Sequence, residues 1–266
     1  MSKYETPMID RWWADSQMSG VMAEEYPLVA KSGLVQRRRA DGVAVLDTAG
    51  EQRTVDWRDL PDLTGKDVVV VQAKASRLCA PLAGQAIGSA WLLEKHAPAS
   101  IRSVLLCTQD EPTLRPLVED RGIEVVVMPE FARGGFHLTP SPSRLEAWHQ
   151  RVGGMLWRQL PDTAWPPLLR PHALHAHVAE SVTTAPAALN GLDVTVVTAP
   201  RIQSKGGSSF GMYAVGMALL YRDLARRRGA VASSVILTET TDPAMGQLCA
   251  NFGIGVEQVD AATASR

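Results

Sequence analysis

The residues best placed to do chemistry lie in "TGKDVVVVQAKASRL", residues 64–78. Val68 to Val71 is an unbroken β-branched run that predicts a strand covered on both faces, and it passes directly into Gln72, Ala73 and Lys74. Side chains alternate across a strand, so Gln72 and Lys74 are expected on one face, able to meet at one point, with Ala73 facing away. A buried strand ending in an amide and an ammonium offers a neutral oxygen and a fixed positive charge together. The plainer reading of Lys74 is a lysine that snorkels from a strand end.

Other elements must position this pair. Residues 7–26 carry Trp12, Trp13, Met18, Val21 and Met22 at loosely helical spacing behind Pro7, which predicts an N-terminal helix. "ADGVAVLDTAGEQRTVDW" alternates on both sides of "DTAGE" and reads as a β-hairpin. After the Val68 strand, "LAGQAIGSAWLLEKHA" is a helix, "IRSVLLCT" a buried strand, "EPTLRPLVEDRG" a helix ending at Gly122, and "IEVVVMPE" a strand. Strands alternating with helices predict an α/β fold with a mixed or parallel sheet. Residues 132–150 begin with the Gly-, Pro- and Ser-dense "ARGGFHLTPSPSR" and read as a linker.

The two halves resemble each other. "GKDVVVVQAK" from Gly65 returns as "GLDVTVVTAP" from Gly191, an offset of 191 − 65 = 126. "GQAIGSAWLLEK" returns as "GMYAVGMALLYR", and "SVLLCTQDEP" from Ser103 as "SVILTETTDP" from Ser234, an offset of 234 − 103 = 131. These matches predict an internal duplication of a strand-helix-strand-helix-strand unit, against the alternative of two unrelated α/β segments with generic apolar strands. Gln72 is matched by Thr198 and Lys74 by Pro200, so the scaffold repeats and the polar pair does not. A pair needed only for folding would tend to persist in both copies.

Composition narrows the class. With 266 residues, 45% hydrophobic content and a formal charge of −1, the chain is long enough for two domains and has no overall basic character. Cys79, Cys107 and Cys249 are odd in number and sit in apolar segments, which predicts buried free thiols in a reducing compartment. No apolar run approaches the roughly 20 residues of a membrane span, and the expected location is cytoplasmic.

Glu24 or Glu25 in the first helix, Asp41 opening a strand in "RRRADGVAVL", and "VVVVQAK" on the next buried strand together resemble the PD-(D/E)XK nuclease superfamily. They are most similar to its Mrr-like branch, in which Gln replaces the acid before the lysine. Gln85, in "AGQA", resembles the glutamine on the helix after the active strand. The resemblance covers about residues 8–129 and departs from the pattern in the long separation between Asp41 and Gln72.

The resemblance implies a restriction-endonuclease-like mixed sheet flanked by helices over residues 1–131, a linker at 132–150, and a degenerate copy over 151–266. It implies an endonuclease that hydrolyses DNA phosphodiester bonds with Mg²⁺, Mn²⁺ serving as a substitute. Asp41, Gln72 and the Ala73 carbonyl would hold the ion, Lys74 would orient the attacking water and offset charge, and Glu24 or Glu25 would position a water. Asp41 has a plainer reading as a turn aspartate opening a hairpin. Gln85 and the Arg37, Arg38, Arg39 run would contact DNA, although such runs are also solvated loops. One active unit per chain implies a homodimer for cutting both strands. A catalytically inactive DNA-binding or assembly module of the same fold, and a nucleotide-binding α/β protein, are the alternatives.

Three further motifs have plainer readings. His172, His175 and His177 in "RPHALHAH" lack zincin spacing and read as a polar strand or loop. Arg226, Arg227 and Arg228 end a helix, where cations favour its dipole. "KGGSSFG", residues 205–211, sits where a loop could cradle a phosphate, and matches neither nucleotide fingerprint.

Overall fold

The β-branched run does form a central strand. A computed structural model of the chain describes residues 4–30, 32, 37–47, 50–132, 141–158, 160, 171–176, 189–200 and 211–259. It divides into two units, Met1–Phe136 and His137–Arg266, each a mixed sheet flanked by helices, which is the expected α/β class.

The first unit runs α1 (Thr6–Asp15), β1 (Gly20–Val29), β2 (Arg38–Leu46), β3 (Arg53–Val55), β4 (Asp67–Ala73), α2 (Ala80–Leu93), β5 (Ser100–Cys107), α3 (Arg115–Glu119) and β6 (Ile123–Val127). Its six strands are ordered β3-β1-β2-β4-β5-β6. β1, β2 and β4 form an antiparallel meander, and β5 and β6 continue parallel to β4. On one face α1 buries Met8, Ile9, Trp12 and Trp13 against Met22, Ala44, Val69, Val71 and Ala73; full burial of side chains such as Met8 and Ile9 contributes about 1.5–3 kcal/mol each. The helix α2 carries a largely buried, apolar sequence and packs against β4 and β5.

Three expected elements differ. The first helix stops at Asp15: Ser16 Oγ donates to the Trp13 carbonyl at 2.7 Å, Gln17 adopts a left-handed φ of 54°, and residues 20–29 pair as β1. Gly20, with φ 141°, is required there, because a Cβ would lie 2.2 Å from the Val45 carbonyl oxygen. The hairpin across "DTAGE" does not form, because β1 and β4 occupy both edges of β2. β3 pairs in parallel with β1 instead. The helix after Glu111 shortens to Arg115–Glu119, with Pro116 in its first turn.

The stretch read as a linker contains α4 (Pro142–Val152), which belongs to the second unit. Its Leu145 and Trp148 pack on Ala173, Val197 and Leu237; the flanking Pro and Ser residues obscured this apolar spacing in the sequence. The unit continues with β7 (Met155–Trp157), β8 (Ala173–Ala176), β9 (Asp193–Thr198), α5 (Met212–Arg227), β10 (Val231–Thr238), α6 (Pro243–Asn251) and β11 (Gly255–Gln258). Its sheet is ordered β11-β10-β9-β8-β7. Pairing is antiparallel from β7 to β9 and parallel from β9 to β11, the succession seen in β1, β2, β4, β5 and β6.

The registers also correspond. Asp67 faces Ser100 in the first unit and Asp193 faces Val231 in the second, at 193 − 67 = 126 and 231 − 100 = 131. Those are the offsets of the sequence matches. β3 has no counterpart among the described residues. Cys79, Cys107 and Cys249 are free thiols. No helix among the described residues is long and apolar enough to cross a membrane.

Candidate functional site

Register places Asp41 beside Gln72. β2 and β4 pair Gly42 with Val71, so the next residues along, Asp41 and Gln72, face each other and project to the same side of the sheet. Gly42 looks toward α1, since its Cβ would meet Ile9, Val71 and Met22 at 3.5–3.7 Å. Asp41 and Gln72 therefore face α2.

Gln72 is fully buried and its Nε2 donates to Ser89 Oγ on α2 at 2.9 Å. Its Oε1 is buried with no hydrogen-bond partner. Asp41 Oδ2 accepts the Ala73 backbone N–H at 2.9 Å. Burial pushes the Asp41 carboxyl up to about 7, the Ala73 N–H draws it down, and the charges of Glu5 and Glu25 raise it further.

Lys74 departs from the expected alternation. β4 ends at Ala73, and although the Lys74 N–H still donates to the Leu106 carbonyl at 2.9 Å, its ammonium lies 2.8 Å from Glu5 Oε1 at the start of α1. Gln72 goes to α2, and Lys74 goes to Glu5. The groups nonetheless gather at one end of the sheet: Asp41 is bonded to the residue before Lys74, and the Glu5 charge acts on both.

Glu24 and Glu25 lie on β1, not on a helix. Glu24 pairs with Gly42 and is pushed up to about 7 by burial, then by Asp10 of α1, with which it shares a side-chain hydrogen bond. Glu25 adopts φ 53° in the strand, and its carboxylate is 2.6 Å from Arg39. Burial alone would raise Glu25, but positive groups around it, Arg39 among them, hold it below the usual carboxylate range. Glu25 falls between the Glu24–Gly42 and Tyr26–Ala40 pairs, the interval that holds Asp41 on β2.

The arginine run is not a uniform basic tract. Arg38 is buried, Arg39 is tied to Glu25, and Arg37 is exposed. Gln85 is half-buried on α2. Among the described residues no group of three His, Cys, Asp or Glu side chains is arranged to hold a metal ion. The expected donor set brings one carboxylate, Asp41, together with the Gln72 amide oxygen and the Ala73 carbonyl.

Sequence reasoning missed Glu5 and Ser89. Glu5 precedes the Pro7 helix start, a signal obscured when the helix was extended to Glu25. Ser89 is a lone hydroxyl within an apolar helix and gives no local sign of its partner.

The second unit repeats the geometry with other residues. Ala173 pairs with Val197, the pair corresponding to Gly42 and Val71, so His172 stands at the position of Asp41. Its Nδ1 accepts the Ala199 N–H at 2.9 Å, as Asp41 accepts that of Ala73. Thr198 replaces Gln72, and its buried Oγ1 has no hydrogen-bond partner. Arg144, fully buried on α4, donates to the carbonyls of Pro200 and Leu237 and lies 3.5 Å from Glu239. His175 is on β8, bonded to the Gly153 carbonyl at 2.7 Å and edge-on to Trp148. Arg226 and Arg227 occupy the last turn of α5. His177 and residues 205–210 of the glycine loop lie outside the described residues.

Comparison with protein-family models, curated proteins and solved structures finds no match to this chain.

Proposed function

We propose that the first unit is a metal-dependent DNA endonuclease domain of restriction-endonuclease-like fold, and that the second is a degenerate copy of it. The observation that carries this reading is the gathering of Asp41, Gln72, Lys74 and Glu5 at one end of the meander, with Asp41 across the ladder from Gln72 and bonded to Ala73. The like topology and register of the two units support the duplication. His172 at the Asp41 position supports the loss of a cation site from the second.

The donor chemistry fits a hard divalent ion. Asp41, Gln72 Oε1 and the Ala73 carbonyl are the oxygens that would hold Mg²⁺ or its substitute Mn²⁺, and the buried Gln72 Oε1 has no other partner. When bound, the ion acidifies water and neutralises phosphoryl charge. Lys74 faces the phosphate as a positive charge and orients the attacking water. Glu5, at the N-cap of α1, holds that ammonium in place. Arg37 and Gln85 contact DNA. One centre per chain nicks a duplex, and a homodimer cuts both strands.

A second reading, an inactive nuclease-fold module that binds DNA or partners, is favoured by the engagement of Lys74 with Glu5 and by the single carboxylate in the donor set. Incubation with supercoiled and linear DNA plus Mg²⁺ or Mn²⁺ separates the two. Cutting by the wild type that falls roughly 10²-fold or more in Lys74→Ala and in Asp41→Ala supports the enzyme. DNA bound but uncut supports the module, and activity equal in wild type and Lys74→Ala defeats the nuclease assignment.

A further inference from the structure

We infer that Arg77 holds a phosphate of the DNA backbone; this rests on the DNA-acting reading of the first unit and adds a contact to it. Past β4 the chain runs on beside the end of β5. The Thr108 N–H donates to the Ser76 carbonyl at 2.9 Å, the Leu78 N–H donates to the Gln109 carbonyl at 2.8 Å, and Arg77 itself bridges to Gln109. The Arg77 backbone is thus fixed three residues beyond Lys74. Its Nη1 donates to Glu111 Oε2 at 3.3 Å, and Glu111 Oε1 accepts the Thr113 N–H at 3.3 Å, so both carboxylate oxygens are engaged. The Glu111 side chain is 10% accessible and that of Arg77 38%. The acid faces inward and the cation faces water, the same division as in Glu5 and Lys74. A guanidinium carries five N–H donors in a rigid fork that matches phosphate oxygens, and no other acceptor among the described residues takes the remaining ones. The neighbouring acid Asp110 is paired with Arg115 at 3.0 Å. A fork already held still gives up less side-chain freedom when it binds.

Lys74 lies toward the same place. Burial raises the Cys79 thiol, and the Leu82 N–H and the Lys74 charge lower it, so that charge reaches the start of α2, two residues past Arg77. The second unit lacks both cations at the matched positions, with Pro200 for Lys74 and, at 77 + 126 = 203, Gln203 for Arg77. Asp242 stands for Glu111, at 242 − 111 = 131, and its Oδ1 accepts the Met245 N–H at the start of α6.

The test counts phosphate contacts through their salt dependence. Binding of the full chain to a short fluorescein-labelled DNA duplex is followed by anisotropy in EDTA over a series of salt concentrations, so neither metal nor cleavage enters. Arg77→Ala is expected to weaken binding about tenfold, alike for duplexes of unrelated sequence, and to reduce the slope of log K against log salt by about 0.9, the loss of one phosphate contact. Arg77→Gln removes the charge but can still donate to Glu111, and is read identically should Arg77→Ala misfold. Arg102→Ala is the control: it removes the same charge from the other end of β5, where cation and acid are both open to water, 52% and 42% accessible, and it should leave the slope unchanged. A wild-type slope in the Arg77 variants, or an equal loss in Arg102→Ala, would overturn the inference and leave the DNA-acting reading intact. A wild-type chain that binds no DNA overturns that reading together with the role of Arg77.

Discussion

The Lys74 ammonium lies 2.8 Å from the carboxylate of Glu5, with Glu5 almost fully buried and Lys74 about a quarter exposed, their side chains 8% and 28% accessible. The pair joins the end of β4 to the start of α1, two elements some seventy residues apart, and makes each charge depend on the other.

Lys74→Ala is therefore expected to cost about 1–3 kcal/mol of stability, because it leaves the Glu5 carboxylate buried without its cation. Lys74→Met combined with Glu5→Gln should cost less than the sum of the two single changes. Denaturant melts of the four proteins check this, and strictly additive losses would show that the pair is not coupled.

Asp41 gives a pH signature. Burial raises its carboxyl from 3.8 to about 7 in the folded chain, so between those values the folded state holds a proton that the unfolded state has lost. The resulting stability is fully present below the unfolded value and is lost as pH rises through about 7. Asp41→Asn keeps an oxygen for the Ala73 N–H and should flatten that part of the decline in Tm between pH 4 and 8. Glu24 contributes its own decline near 7, so the comparison is with the wild type at each pH.

On the proposed reading, in which Asp41 holds a cation, the same proton would compete with that ion. Mn²⁺ affinity is expected to weaken about tenfold per pH unit below 7 and to level off above it. Titrations at several pH values check the slope, and an affinity that ignores pH would place the ion away from Asp41.

His172 predicts the stoichiometry. One Mn²⁺ per chain is expected; Asp41→Ala should abolish it, and His172→Ala should retain it while losing about 1–3 kcal/mol of stability through the unsatisfied Ala199 N–H. Two ions per chain, or loss of binding in His172→Ala, would contradict the asymmetry of the units.

Gly20→Ala tests the start of β1. With φ 141° and a Cβ 2.2 Å from the Val45 carbonyl, the substitution should destabilise by roughly 2–4 kcal/mol and shift the β1/β2 register. A thermal melt unchanged from the wild type would show that the strand begins elsewhere.

Much of the α/β pattern was legible locally. Val68 to Val71 and the apolar runs after Ser103 and Ile123 are strands whichever partners they find, because β-branched runs bounded by turn residues favour extended backbone. The likeness of "GKDVVVVQAK" to "GLDVTVVTAP" carried over into equal ladder registers, since residues that pack alike pair alike. Local spacing misled at residues 16–26, where pairing with β2 outweighed a helical pattern, and at "DTAGE", where both edges of β2 were already taken.

The sequence by itself determined which strands are buried, that α/β segments occur in both halves of the chain, and that Gln72 lies in the last pleat of β4 with Lys74 just beyond its end. Tertiary structure alone decided their partners. Gln72 meets Ser89, Lys74 meets Glu5, Asp41 bonds to Ala73, and His172 stands in the second unit where Asp41 stands in the first. Those pairings depend on strand register and on where helices cross the sheet. Long-range packing sets both, and no short window of residues contains the interactions that settle them.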